Sequence, residues 1–343
     1  MEIQFDTGQS LPISSEGPKE MLSVSQLPSG KTKVRVNFSS LSLMQECWRK
    51  TEYSLVRGLR SNLESPATLF GSAIHKGLEV FYSGSRSERV IPVGYSDTMA
   101  MIGCGSWQPE WAFSLLFRAA QAFVARAAAL SALPPDNKRS IATGAWMLQH
   151  YFLTYINDPW VVLCDEQGPI TERKFSLPIY EAEDLEIEGF GQIDVILRNE
   201  QTGVILAADH KTTSMLGTQF YQRLNPNHQY TFYTMAAREV FGLQTNSFLV
   251  NALQVKEKPK TARGSVPDFA RQVTTRTEED FTELRSALMK NVREFLFCLE
   301  EGYFPQTAPG PCSNYGGCQY LDICSAPAQL RETIIKARFQ EKT

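Results

Sequence analysis

An α/β fold is what this sequence predicts, and three observations carry the expectation. Helical periodicity dominates residues 39–157, the apolar spacing changes to every second residue between Pro169 and Lys211, and helical and strand-like stretches alternate from about residue 226 onward. A chain of 343 residues with 43% hydrophobic content has enough apolar surface for a substantial core, as one large α/β domain or two smaller ones.

The elements follow in order. Residues 1–38 are rich in turn formers, including Gly8, Pro12, Gly17, Pro18, Pro28 and Gly30, and fit an arm or hairpin ahead of the core. Over 39–60, Leu41, Met44, Trp48 and Leu55 recur at helical intervals, Ser39, Ser40 or Ser42 supplies a cap, and Cys47 falls inside the predicted helix. A second helix is expected over 68–82, then a Ser/Gly/Arg turn at 83–88 and a less regular stretch to 108. Helices over 109–132 and 137–157, parted by Leu133-Pro134-Pro135, make the region of about 84–160 an all-helical insert.

Period-two spacing gives strands near 170–178, 185–198 and 204–211, the last two joined by Asn199-Glu200-Gln201-Thr202-Gly203, which together read as an antiparallel meander. A helix over 226–242, a strand over 246–255, a basic loop, a strand over 268–275 and a helix over 278–301 come next. The boundaries expected are therefore the arm, a single domain over 39–325, and a helical tail over 326–343.

A net charge of −3 provides no overall basic field, so a polyanionic partner must be held by a local patch or by metal ions. The first thirty residues lack the continuous apolar run of a secretory signal, which points to a cytoplasmic protein. Trp111–Leu133 is interrupted by Arg118 and Arg126, so a core helix is expected there and no membrane span. No Gly-rich loop ending in Lys-Ser or Lys-Thr is present to cradle nucleotide phosphates, which argues against an ATP-driven motor. Seven cysteines without an export signal favour metal ligation over a disulfide framework.

Strand alternation sets Asp209 and Lys211 on one face and His210 on the other. On the preceding strand Asp194 shares a face with Gln192, opposite the apolar Ile193, Val195 and Leu197. If Arg198 pairs near Val204, Asp194 falls opposite Ala208 or Asp209, and two carboxylates and an ammonium converge. Adjacent carboxylates repel unless a divalent ion such as Mg2+ or Mn2+ binds both. An isolated Asp-x-Lys is commonly a solvated strand face, but this one has company. Gly71, His75 and Glu79 share a helix stripe, and Gln229 and Tyr233 lie one turn apart on the helix after the strand.

In this order, Gly71-Ser72-Ala73-Ile74-His75 with Glu79, Gly191-Gln192-Ile193-Asp194, Asp209-His210-Lys211, and Gln229 with Tyr233 resemble the RecB-like branch of the PD-(D/E)xK nuclease superfamily. Cys47 followed by Trp48-Arg49-Lys50, and the late trio Cys312, Cys318 and Cys324, resemble its iron–sulfur members, which include single-strand exonucleases and CRISPR-associated spacer-acquisition nucleases. The resemblance covers residues 39–325, apart from the helical insert. It implies a restriction-endonuclease-like core with a mixed central sheet flanked by helices and an iron–sulfur-stapled periphery.

The implied chemistry is Mg2+- or Mn2+-dependent hydrolysis of DNA. His75, Asp194, Asp209 and the backbone carbonyl of His210 would ligate the metal, and Lys211 would orient the attacking water. Gln229 and Tyr233 would hold the substrate or neighbouring groups, and Glu79 would fix the His75 ring from outside. Exonuclease action on single-stranded DNA or free ends follows from the same resemblance, with a helicase, recombination or integrase partner. A DNA-end-binding subunit with dispensable chemistry is the alternative.

Four thiols make a full ligand set for a [4Fe-4S] cluster or for structural zinc. Five residues separate Cys312 from Cys318 and Cys318 from Cys324, a wider first gap than the two residues usual in related iron–sulfur nucleases, and Gly316-Gly317 offers the flexibility to turn the thiols inward. Cys104, Cys164 and Cys298 are expected in the core. Lys256, Lys258, Lys260 and Arg263 form a basic loop suited to phosphate contact, and Tyr315 and Tyr320 are placed either to stack bases or to pack against the thiol group.

Overall fold

A computed structural model of the chain describes residues 21–61, 65–84, 109–132, 137–155, 158–258, 266–307, 310–313 and 317–341. Its elements run as follows. Strands β1 (Leu22–Gln26) and β2 (Thr32–Asn37) form an antiparallel hairpin with Val24 opposite Val34, turning at Gly30, whose φ of 83° favours glycine. Helix α1 (Phe38–Glu46) begins where Asn37 Oδ1 accepts from the Ser40 N–H.

The single helix expected over 39–60 is broken at Cys47, which is extended (φ −165°, ψ 121°) between α1 and the one-turn α2 (Trp48–Thr51). Beyond the break the Arg49 N–H donates to Pro305 O and Arg49 Nε to Phe304 O, so contacts to a distant segment outweigh local propensity. A π turn over Glu52–Val56 and strand β3 (Leu59–Ser61) follow.

Helix α3 (Pro66–Ser83) starts with Pro66 in the first turn and Ser65 Oγ accepting from the Thr68 N–H. Helix α4 (Pro109–Ala127) runs into a 3-10 turn over Ala128–Ala132, and α5 (Ile141–Tyr155) follows one over Asn137–Arg139. The turn expected at 83–88 and the Leu133-Pro134-Pro135 break lie largely outside the described residues, as does Cys104.

Next come β4 (Trp160–Val162), the short pair β5 (Cys164–Asp165) and β6 (Gly168–Pro169), β7 (Thr171–Glu181), β8 (Leu185–Asn199) and β9 (Ile205–Thr213). A single turn α6 (Thr218–Gln222), helix α7 (His228–Glu239), β10 (Ser247–Gln254) and β11 (Phe269–Thr275) lead to the long α8 (Glu278–Glu300). The chain closes with α9 (Gly310–Ser313), α10 (Leu321–Ser325), α11 (Ala328–Arg338) and β12 (Phe339–Glu341).

The chain divides into two compact units. One comprises Met1–Leu63, Ser176–Gly191 and Thr282–Thr343. In it β2 lies parallel to the first half of β8, Val34 beside Ile187, and Lys33 and Arg35 grip Glu188 at 2.7 Å each. Met44, Phe295, Cys298 and Phe304 form one small core, and Tyr53, Leu59, Tyr320, Ile323, Ile335 and Phe339 another.

The other unit comprises Glu64–Phe175 and Gln192–Phe281. Here the second half of β8 pairs antiparallel with β4 and with β9, β9 runs parallel to β10, and β10 is antiparallel to β11. The meander expected from the sequence thus gives way after β9 to a β9–α7–β10 crossover, which makes the sheet mixed. Helices α3, α4 and α5 cover the face bearing Val195, Leu197, Leu206, Ala208, Leu249 and Leu253, and Phe70, Ile74, Phe123, Met147 and Leu148 fill the space between. Gly144 admits the Phe123 ring against the backbone of α5, where any Cβ would collide with it. Among the described residues no helix is long and apolar enough to cross a membrane.

Candidate metal centre

The second unit holds a convergence of polar groups where β8 and β9 part. The ladder between them runs from Arg198–Ile205 to Val195–Ala208. One step further, the His210 N–H donates to Asp194 Oδ2 at 2.8 Å, so a carboxylate takes the place of the next main-chain acceptor. In an extended strand a residue's N–H and C=O leave by the same edge, so the His210 carbonyl also faces the Asp194 side.

His75 reaches the same point from α3. Its Nδ1 lies 3.4 Å from Asp194 Oδ2. Gly71, one turn earlier, sets the approach: a Cβ there would sit 3.2 Å from Thr212 Oγ1 of β9, so glycine lets helix and strand come close. The third member is Glu172, near the start of β7, and the ligand atoms of His75, Glu172 and Asp194 all lie within 4.8 Å of one another. Glu172 has a φ of 47°, a left-handed backbone that costs a non-glycine residue on the order of 1–3 kcal/mol. Gln192 Nε2 donates to the Glu172 carbonyl at 2.7 Å and helps hold that conformation.

Sequence reasoning missed Glu172. A glutamate opening a polar strand edge carries no spacing relationship to Asp194, and only its left-handed backbone and the Gln192 contact direct it inward.

Asp209 and Lys211 share a face, as alternation requires, with Lys211 Nζ 2.8 and 3.1 Å from the two carboxylate oxygens of Asp209. Burial works against the Lys211 charge, but the Asp209 and Asp194 carboxylates more than offset it and hold its pKa above the ordinary lysine range. Asp194 is shifted the other way. Its burial, with the negative charge of Asp209 beside it, pushes its carboxyl up to about 6 despite His75, the His210 N–H and Lys211.

Gln229 and Tyr233 stand one turn apart on α7, which Asn227 Oδ1 caps by accepting from the Gln229 and Tyr230 N–H groups. Burial foremost, then the Asp209 and Asp194 charges, push the Tyr233 hydroxyl up, while a hydrogen bond with the Gln229 side chain opposes the shift. Both residues therefore border the acidic pair. On the far face of β9 the His210 ring is buried and stacked on Tyr82, with centroids 5.2 Å apart. Burial, with His75 and Lys211 nearby, drives it well below the ordinary histidine range, so it stays neutral.

Other expected contributors are elsewhere. Glu79 pairs with Lys76 at 2.5 Å, an i,i+3 neighbour of opposite charge, and not with the His75 ring. Lys256 is paired with Asp268 at 2.6 Å, and the Lys258 N–H is 3.5 Å from Thr143 Oγ1. Lys260 and Arg263 lie outside the described residues, as do Tyr315 and Gly316. Tyr320 is no base-stacking platform: it is 1% exposed, packs on Tyr53 and Phe339, and donates to Leu59 O at 2.7 Å. Cys164 is exposed on a two-residue strand, contrary to the core position expected, whereas Cys298 is buried.

Two carboxylates and an imidazole are a donor set suited to a hard or borderline divalent cation such as Mg2+ or Mn2+. The raised Asp194 carboxyl points the same way, because a cation would remove the repulsion that burial and Asp209 impose. Asp209 is held by Lys211 and stands beside the trio formed by His75, Glu172 and Asp194.

The thiols form a separate group in the first unit. Cys47, Cys312, Cys318 and Cys324 are all half-buried and free. Cys318 and Cys324 both feel the charges of Cys47 and Cys312, and the Cys318 N–H donates to Cys312 O at 2.9 Å. Burial raises the Cys318 and Cys324 thiols. At Cys47, burial is outweighed by hydrogen bonds from Thr307 and from the Lys50 and Arg49 N–H groups of α2, and the thiol is lowered. The helix break at Cys47 thus turns its sulfur toward the new helix start.

A search of curated proteins gave no match to this chain. The family model that matches is that of the PD-(D/E)XK nuclease superfamily, over residues 35–325.

Proposed function

The chain belongs to the PD-(D/E)XK nuclease superfamily, and from that premise we propose a DNA exonuclease that uses Mg2+ or Mn2+ and acts on single-stranded DNA or DNA ends. The observation that carries the reading is the meeting of His75, Glu172 and Asp194 beside the Asp209–Lys211 pair. A bound divalent cation supplies Lewis-acid polarisation of the phosphodiester and a lowered pKa for its water.

The protein's own groups do the rest. His75, Glu172, Asp194 and the His210 carbonyl hold the cation, with Asp209 completing the acidic wall. Lys211, kept charged by Asp209, aligns the attacking water and offsets negative charge gathering on the phosphoryl oxygens. Tyr233, its proton held tightly, donates a hydrogen bond to a phosphate oxygen or to that water, and Gln229 fixes the hydroxyl's direction.

In the same reading the four thiols carry a [4Fe-4S] cluster. Cys318 and Cys324 both feel the charges of Cys47 and Cys312, so the four thiols lie near enough to share one inorganic group, and structural zinc is the alternative occupant. The cluster's place is structural, tying the Cys47 turn to the segment around α9 and α10. A partner helicase or recombination factor would supply the strand.

End-labelled single strands with Mg2+ or Mn2+ test the proposal. The parent protein degrades them, and Asp194→Ala and Lys211→Ala lose the activity while keeping their fold. Undiminished digestion by both variants places the chemistry elsewhere, and binding of ends without turnover by the parent supports the DNA-end-binding alternative.

A further inference from the structure

The hydrolytic reading uses Asp209 and Lys211 on one face of β9, the edge beside Asp194, and His75 reaching in from α3, while under α3 and α5 the sheet carries a buried polar chain that the chemistry leaves idle. His210, Asn251 and Arg271 are register partners across β9, β10 and β11, so their side chains form one row. Asn251 Nδ2 lies 2.7 Å from His210 Nδ1 and donates to the Tyr151 hydroxyl at 2.8 Å. The Tyr151 and Tyr82 hydroxyls are 2.6 Å apart, and Arg271 Nη2 donates to them at 3.3 and 2.9 Å. The guanidinium lies 3.8 Å over the Tyr155 ring and is paired with Asp158.

Packing alone does not explain this row. His210, Asn251, Tyr82 and Tyr151 are at most 3% exposed, on a face otherwise built of Leu, Val and Ala, where apolar side chains would avoid the desolvation cost. Asn251 Oδ1 is buried without a partner, an added cost of roughly 1–3 kcal/mol. The row ends on one imidazole. The His210 ring is stacked on Tyr82, hydrogen-bonded to Asn251, and set edge-on to His75 at 5.9 Å. The same residue's N–H anchors Asp194 on the strand's free edge.

We propose that the chain from Asp158 through Arg271, Tyr82, Tyr151 and Asn251 to His210 is a positioning device. It holds the His210 peptide so that its N–H orients Asp194 and its carbonyl faces the cation, which makes Asn251 and Tyr151 positioning residues that set metal affinity from behind the His210 ring, without touching the cation. The inference rests on the metal-centre reading above. Outer groups of this kind typically change metal affinity by about 10–100-fold.

The test is calorimetric titration of Mn2+ into the full chain, with thermal unfolding of the metal-free protein and DNA kinetics alongside. Asn251→Leu and Tyr151→Phe each weaken Mn2+ binding, the first at least tenfold, and lower kcat with KM for DNA unchanged. Leu249→Ala, a cavity in the same core two residues from Asn251, lowers the melting temperature but leaves Mn2+ affinity unaltered. Wild-type Mn2+ affinity in both Asn251→Leu and Tyr151→Phe, with Asp194→Asn abolishing binding, overturns the positioning role alone. Absence of Mn2+ binding by the parent overturns the metal-centre reading and this inference with it. Tyr151→Phe, which removes one hydroxyl and keeps the ring, decides the matter if Asn251→Leu fails to fold.

Discussion

The His210 N–H donates to Asp194 Oδ2 at 2.8 Å, so the carboxylate that faces the cation is held by the backbone of the neighbouring strand. That carboxylate is also strained electrostatically, with its pKa pushed up to about 6 by burial and by Asp209. A raised carboxyl favours the folded state when protonated and penalises it when ionised, so the penalty is full above pH 6 and fades as the pH falls toward the unfolded value. Asp194→Asn keeps an acceptor for His210 and removes the charge. It is expected to stabilise the metal-free protein at pH 7.5 by about 1–3 kcal/mol in a denaturant titration, while DNA cleavage is lost. Mn2+ raises the melting temperature of the parent and leaves that of Asp194→Asn unmoved.

Lys211 holds both oxygens of Asp209. Lys211→Ala removes the group that aligns water and leaves Asp209 beside Asp194 without its counter-charge, so kcat is expected to fall by about a hundredfold or more. Single-turnover kinetics at saturating DNA and Mn2+ check this. Lys211→Met separates charge from bulk: it packs like the parent and is as inactive as Lys211→Ala.

Glu172 combines a left-handed φ of 47° with a place among the metal-capable side chains. Glu172→Gln keeps the shape and loses the charge, and weakens Mn2+ binding about tenfold or more by calorimetry. Glu172→Gly relieves the backbone but has no carboxylate. Its stability is expected to equal or exceed the parent's, with the same loss of Mn2+ affinity as Glu172→Gln.

Much of this centre was legible in the sequence. The His75 stripe on α3, the β8–β9 hairpin and the Asp209–Lys211 face follow from periods of 3.6 and two, which are local properties. Glu172 was not legible: the expected meander does pair β7 with β8, but nothing local announces the left-handed backbone of Glu172. The break at Cys47 was hidden for a related reason: residues 41, 44, 48 and 55 keep helical spacing across it, and the hydrogen bonds of Arg49 to Phe304 and Pro305 that accompany it come from a distant segment. A mixed sheet was expected, but the Asn251–His210 contact depends on the register of β10 against β9 across a crossover, which no local spacing states. Tyr320 was ambiguous between surface and core until Tyr53 and Phe339 closed around it.

In the first unit, Glu188 is held down to about 2: burial opposes this, but Lys33, Ser176 and Arg35 outweigh it. A depressed carboxyl contributes stability above its unfolded pKa, which is lost as pH falls from about 4.5 through 2. Glu188→Gln is expected to lower stability at pH 7 by roughly 1–2 kcal/mol, discounted for its partial exposure, with the difference from the parent shrinking as the pH drops below 4. Urea unfolding at a series of pH values measures it.

The proposed divalent cation sits among His75, Glu172 and Asp194, at the edge where β8 leaves β9. Crystals soaked in Mn2+ and measured at the manganese absorption edge test it directly. An anomalous peak is expected, bonded to His75, Glu172, Asp194 and the His210 carbonyl, with Lys211 beside it. A Mn2+-saturated crystal with no peak there, or with its peak on other residues, contradicts it.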